Sequence, residues 1–221
     1  MNINDHTFNP IAKHMLTTTL AEIKARSPDE DTWKRLLNGL GVTRANKKPL
    51  PLERILEICG LDEALWVLRA FKGHDNAIRL FACYCARYAL HTFERKFPDD
   101  KRPREAIETA ERFARGQATL EELNAAEEAA GDAASTACDA YTFGNICWFS
   151  EYGNAAEAAA VAASLDPAGA AFSVQLVANL AASVVSGEAA YNAAWDDFKR
   201  EFIRLCRLEG EYGRTAEKDT P

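Results

Sequence analysis

The side chains able to attack, transfer a proton or hold a metal are scattered along this chain. His6, His14, His74 and His91 lie far apart in sequence, and none sits in a recognisable catalytic or ligand signature. Cys83 and Cys85 are two residues apart, which on a helix points their side chains about 200° away from each other, the wrong geometry for a zinc pair. No second cysteine pair and no His-x-x-x-His completes such a site, and there is no phosphate-cradling glycine loop or dinucleotide fingerprint. The expectation is a chain that is not an enzyme and uses no metal and no cofactor.

The carboxylates are patterned. Glu121, Glu128, Asp132 and Asp139 fall at offsets of 0, 7, 11 and 18, which at 100° per residue places all four within roughly 40° of one line down a helix. If that helix is continuous it carries an acidic ridge about 27 Å long, with a charge every ~6 to 11 Å. The interval is loosely comparable to the phosphate repeat of a nucleic-acid strand, so a basic groove shaped for phosphates could accept it. These four residues are the candidate partner-binding site. The plain alternative is a solvated acidic face that keeps the domain soluble.

The rest of the charge follows the same division. The net charge is −7, but residues 1–120 hold 20 basic and 16 acidic side chains, whereas 121–221 hold 6 and 17. Between Arg115 and Lys199 there is no lysine or arginine, and twelve carboxylates stand in that interval. Such a surface repels nucleic acid and favours a protein partner with a basic surface.

The elements that must position these residues are helical. The chain has 221 residues and 40 alanines, 29 of them between Ala106 and Ala194, with 12 glycines and 8 prolines. Alanine is the best helix former, so the expected fold is all-α, a compact multi-helix bundle or helical array with an alanine-rich C-terminal half. Side chains this small let helices approach closely, and Phe143, Trp148, Phe149, Phe172 and Trp195 would fill the gaps.

Along the chain, an amphipathic stretch from Pro10 to Ala25 precedes a helix expected to be capped by Ser27 and to end at Gly41. A basic loop, Arg44 to Lys48, leads to two short helices at about 52–59 and 62–71, the second capped by Asp62. A long core helix from Asp75 to Phe97 stops at Pro98, and Pro103 opens the next, which ends at Gly116. Thr119 to Glu122 reads as a capping box for a helix reaching about Tyr141. The aromatic segment Tyr141 to Asn154 reads as a loop or distorted helix. Helices then follow at about 154–165, 168–185 and 188–208, with a frayed polar end. The uncharged run Ala168 to Val185 suits a buried helix better than a membrane span, because its polar residues and alanines give little drive for insertion. The expected organisation is a helical N-terminal segment over 1–60, an alanine-rich helical domain over 61–209 and a flexible tail over 210–221.

No segment near Met1 reads as a secretory signal, and six cysteines are too few for a disulfide scaffold, so a cytoplasmic location with reduced thiols is expected.

Two segments carry a resemblance: Leu80 to Ala86, with its Ala-Cys-Tyr-Cys-Ala, and Phe97 to Gly116, with Pro-Asp-Asp-Lys-Arg-Pro-Arg-Glu-Ala-Ile and a terminal Ala-Arg-Gly. Over about residues 62–198 the chain resembles the alanine-rich, all-helical immunity protein family of bacterial polymorphic-toxin loci and phage genomes. The resemblance implies neutralisation of a cognate toxin by direct binding. Joined to the acidic ridge, it leads to an inhibitor that occludes a basic surface, most naturally that of a nuclease. The alternatives are a phage-encoded inhibitor of a host nucleic-acid-binding defence complex and a structural helical scaffold. Asp99, Asp100, Arg102 and Arg104 read first as an ion-pair and capping cluster between helices.

Overall fold

Helix α5, Asp75–Lys96, lies at the centre of the structure. The computed structural model describes residues 16–70, 74–139, 151–164, 170–184 and 187–218. As its three-and-four spacing predicts, Ile78, Phe81, Ala82, Cys85, Ala89 and Phe93 are buried. Around it pack α6 (Arg102–Ala114), α8 (Glu151–Ala163), α9 (Ala170–Ser183) and α10 (Glu188–Lys218).

The alanines explain how so many helices share one centre. On α8, Ala155, Ala156, Ala158, Ala159, Ala162 and Ala163 are all fully buried, while Glu157 alone among the neighbouring positions faces solvent. A helix so nearly enclosed must meet neighbours on most of its circumference, and α8 meets α5, α6, α7 (Leu120–Asp139) and α9. Side chains of one carbon make that approach possible. Larger residues close the remaining space where α10 crosses α5: Phe81 meets Phe202 edge-on at 5.2 Å, and Tyr88 meets Phe198 at 5.3 Å. Of the expected gap fillers, Trp195 is half-buried against Phe198. Phe143, Trp148 and Phe149 lie outside the described residues, as does the side chain of Phe172.

Helices α6 and α7 form an antiparallel hairpin whose turn was legible in the sequence. Gly116, at φ +70, ends α6 in the left-handed conformation, with Gly116 N–H donating to Phe113 O and Gln117 N–H donating to Arg112 O. Two residues later Thr119 and Glu122 satisfy each other reciprocally, Thr119 N–H donating to the Glu122 carboxylate at 2.7 Å and Glu122 N–H to the Thr119 hydroxyl at 3.1 Å.

The N-terminal elements differ from expectation in detail. Helix α1 covers only Leu20–Ala25, because Thr17–Thr19 form a strand, β1, antiparallel to β2 at Pro49–Pro51, with Thr18 opposite Leu50. Three successive β-branched residues favour the extended form over the expected helix. Helix α2, Glu30–Leu40, ends at Gly41 as predicted, but its cap is Asp29, whose carboxylate accepts from Thr32 N–H at 2.8 Å. Ser27 instead closes α1, with φ +56. Helix α3 spans Leu52–Cys59, and α4, Leu61–Val67, starts one residue earlier than predicted, with Gly60 at its cap and Asp62 in its first turn. A single turn of 3₁₀ helix, Leu68–Ala70, follows. One continuous buried cluster joins these elements to the rest, from Leu16 to Phe202.

Further on, residues 151–154, assigned in the sequence to an irregular aromatic segment, are the first turn of α8, while 140–150 lie outside the described residues. Helix α10 continues past Leu208 to Lys218. Its glycines cost only about 1 kcal/mol each against alanine, and the glutamates and arginines around them are good helix formers. Among the described residues no helix is long and apolar enough to cross a membrane. The fold of these residues is all-α apart from two three-residue strands.

Candidate functional site

Helix α7 is unbroken from Leu120 to Asp139. It buries Leu123, Ala130, Ala133, Ala134 and Ala137 toward α6 and α8. The opposite face exposes Glu121, Glu128 and Asp132, which the sequence pattern put on one line. Asp139 is the last residue of the helix, and its side chain lies outside the described part of the structure. None of Glu121, Glu128 and Asp132 forms an ion pair within 4.0 Å among the described residues. Seven- and four-residue spacings keep their charges on one side of a rigid backbone.

The absence of nearby cations suggested by the sequence does not carry over in full to three dimensions. The α6–α7 hairpin lays Arg112 against Glu122 at 3.6 Å. One end further along, the field of Asp132 adds to the stabilisation of the Arg102 guanidinium, whose main partner is Asp100 through a hydrogen-bonded pair at 2.6 and 2.9 Å. These arginines border the ridge without being bonded to its three exposed carboxylates. Antiparallel packing of a helix from the basic half produces this flank, which linear charge counting misses.

On the side facing α8 the potential is reinforced. Glu127 is half-buried, and its carboxyl is raised above the ordinary range, first by burial and then by the charge of Glu157 on α8. A raised carboxyl binds its proton more tightly in the folded chain than in the unfolded one, so stability rises as pH falls through the raised value. Glu127→Gln is therefore expected to raise the melting temperature at pH 7 by a degree or two, where roughly 2–4 °C corresponds to about 1 kcal/mol in a domain of this size. The gain should shrink toward pH 4, and thermal melts across that range measure it. An unchanged or lowered melting temperature at pH 7 would refute the opposition of the two carboxylates.

Several other titratable groups hold helices together. Arg104 grips Glu94 through two bonds of 2.6 Å, tying the end of α5 to the start of α6 and drawing the Glu94 carboxyl below its usual range. With the Asp100–Arg102 pair, this accounts for three of the four residues expected to link those helices; Asp99 forms no ion pair within 4.0 Å among the described residues, and Glu94 takes part instead. Glu111 receives Arg87 at 2.6 Å and Arg115 at 3.7 Å, and Tyr84 donates its hydroxyl to Asp197 of α10. Cys83 and Cys85 are buried thiols; burial pushes Cys83 up to about 12 and raises Cys85 as well, so both stay protonated. His91 bonds through Nδ1 to the carbonyl of Tyr88, one turn back in its own helix. Among the described residues no three metal-binding side chains gather.

Two features escaped the sequence reading. Arg79, in the middle of an apolar stripe, is 3% exposed and donates to Ala163 O at 3.2 Å. The other is a cleft between α4, α9 and α10, lined by Leu61, Glu63, Tyr191, Trp195, Asp196 and Lys199 among others. Nothing in local sequence joins residues 61–63 to 191–199.

The geometry is thus a presented charged face, built by α6, α7 and α8 on α5. Residues 72–163, which comprise those four helices, match the family model described as an Imm-5 like putative immunity protein. It is the family the sequence resembles. The match supports an immunity-like role and, with it, a protein partner and a non-catalytic function. It includes the specific segment from Pro98 to Gly116 and the whole of α7, and it is narrower than the span of about 62–198 over which the sequence resembles the immunity-protein family. No curated protein and no solved structure matches the chain.

Proposed function

We propose that the chain neutralises a toxin by covering a basic surface of it with the exposed acidic face of α7. The observation that carries this reading is the exposure of Glu121, Glu128 and Asp132 on one continuous helix, without an ion pair within 4.0 Å among the described residues, in the segment that matches the immunity-protein family. By sequence spacing alone, Asp139 would extend the same line. A basic cleft adapted to phosphates is the surface such a face fits best, which makes a nuclease the favoured target. A phage-borne inhibitor of a nucleic-acid-gripping defence complex would use the same face, and the neighbouring genes separate the two. No observation favours the scaffold reading over either. The contact is made by protein to protein, without nucleic acid bound through the acidic half, and acts by occlusion in the cytoplasm.

The experiment is recovery of the partner from the native host with the intact chain as bait, then measurement of association across ionic strength. Steered association should slow steeply as salt rises from about 0.05 to 0.5 M, because screening shortens the reach of the field from about 14 Å to roughly 4 Å. A rate indifferent to salt would remove the acidic face from the mechanism.

A further inference from the structure

The cleft between α4, α9 and α10 is an open depression of about 460 Å³, and its walls combine two kinds of group. Tyr191 and Trp195 stand one turn apart on α10, their rings 6.1 Å apart and edge to face. Tyr191 is 38% exposed, one of the few large apolar side chains open to solvent among the described residues. Acidic groups come from two elements: Asp62 and Glu63 from the first turn of α4, and Asp196 from α10. Glu63 is held by Arg35 at 2.8 Å, whereas Asp196 is exposed and forms no ion pair within 4.0 Å among the described residues. Lys199, one turn beyond Asp196, also lines the cleft and forms no ion pair within that distance among the described residues.

We propose that this cleft binds a cationic side chain, an arginine or lysine on a basic segment of a protein partner. An aromatic wall attracts a cation through its ring faces, while carboxylates at the rim select charge and discourage anions. Tyrosine and tryptophan are also the side chains that most often dominate protein–protein contacts. Charge complementarity selects the occupant: Asp62, Glu63 and Asp196 outnumber Lys199 in the lining, Arg35 engages only Glu63 of the three among the described residues, and α9 brings no lysine or arginine. Lys199 lines the same cleft, so its own charge opposes a ligand cation there. Helix α7 packs on α6 and α8, so the cleft is built by different helices from the acidic ridge and stands or falls separately from it.

The probe is a capped Gly-Arg-Gly tripeptide, with the citrulline peptide as its uncharged isostere, titrated into the intact chain and followed by tryptophan fluorescence and by amide chemical shifts. The arginine peptide should bind with a dissociation constant in the millimolar range, the scale of a single side-chain contact, and the citrulline peptide at least about fivefold more weakly. Tyr191→Ala and Asp196→Asn should each weaken arginine binding by about threefold or more, and both sites are exposed enough for the fold to persist. Lys199→Gln should strengthen it by a similar factor, an effect of opposite sign that a damaged fold would not produce. Glu128→Lys/Asp132→Lys should bind the tripeptide as the parent chain does. Equal affinity for the two peptides, or indifference to Asp196→Asn and Lys199→Gln, would overturn the proposal. Loss of binding only in the α7 double variant would overturn it too, by moving the cation to the ridge.

Discussion

Replacing Glu128 and Asp132 together by lysine is expected to slow association with the partner by about tenfold or more at low salt and to abolish protection against it. Both side chains are exposed, on the face of α7 opposite Leu123, Ala130 and Ala134. The double change alters the net charge of that face by four units, and charges of a steering surface act mainly on the association rate. The fold should be indifferent, within about 0.5 kcal/mol, because neither residue packs, caps or forms an ion pair within 4.0 Å among the described residues. Glu121 and Glu122 are poorer choices. They lie in the first turn, where negative charge is favourable to the helix, and Glu122 also completes the cap and meets Arg112. Stopped-flow association and a toxicity assay in a co-expressing host measure the effect. If the double variant associates at the parental rate and still protects, the ridge is a solvated face and the contact lies elsewhere.

How much of this was legible depends on the range of the interaction concerned. Gly41, Gly116, Pro103 and the Thr119–Glu122 box act within a few residues, and the helix ends they predict are where the structure has them. Ser27 and Asp62 were misplaced because each has a competing neighbour two residues away, Asp29 in one case and Gly60 in the other, with a backbone better suited to the cap. The exposure of Glu121, Glu128 and Asp132 follows from helical period alone, since the alanines and Leu123 leave no other stripe to bury. What periodicity cannot supply is the neighbour across a helix pair. Arg102 and Arg112 reach the ridge only because α6 folds back on α7. Tyr191 and Trp195 form a wall only because α4 lies opposite them, far away in sequence.

Arg79 is the sharpest instance, and Arg79→Ala is expected to destabilise the chain by about 3 kcal/mol. The side chain is 3% exposed, and its guanidinium lies over the Phe113 ring, 4.8 Å from the centroid. Its Nη1 donates at 3.2 Å to the carbonyl of Ala163, the last residue of α8. A cation at this end of the helix meets the negative pole of the backbone dipoles and satisfies a carbonyl that has no partner further along the helix. Burial depresses the guanidinium, but its ordinary value is so high that the charge persists. Alanine would lose the packing of the long stem, the ring contact and the bond to Ala163 together. Lysine would keep the charge and much of the stem without the planar fork, so its cost should be smaller, and the order parent, lysine, alanine is itself a test. On the scale of roughly 2–4 °C per kcal/mol, alanine should lower the melting temperature by about 6–12 °C. Denaturant unfolding reads the same quantity, and a change under about 0.5 kcal/mol would mean that Arg79 is not the cap of α8. Because α8 supports the inner face of α7, the variant should also protect less well when warm and recover when cold. That temperature dependence separates a weakened support for the acidic face from a lost contact on it, since Glu128→Lys/Asp132→Lys fails at every temperature.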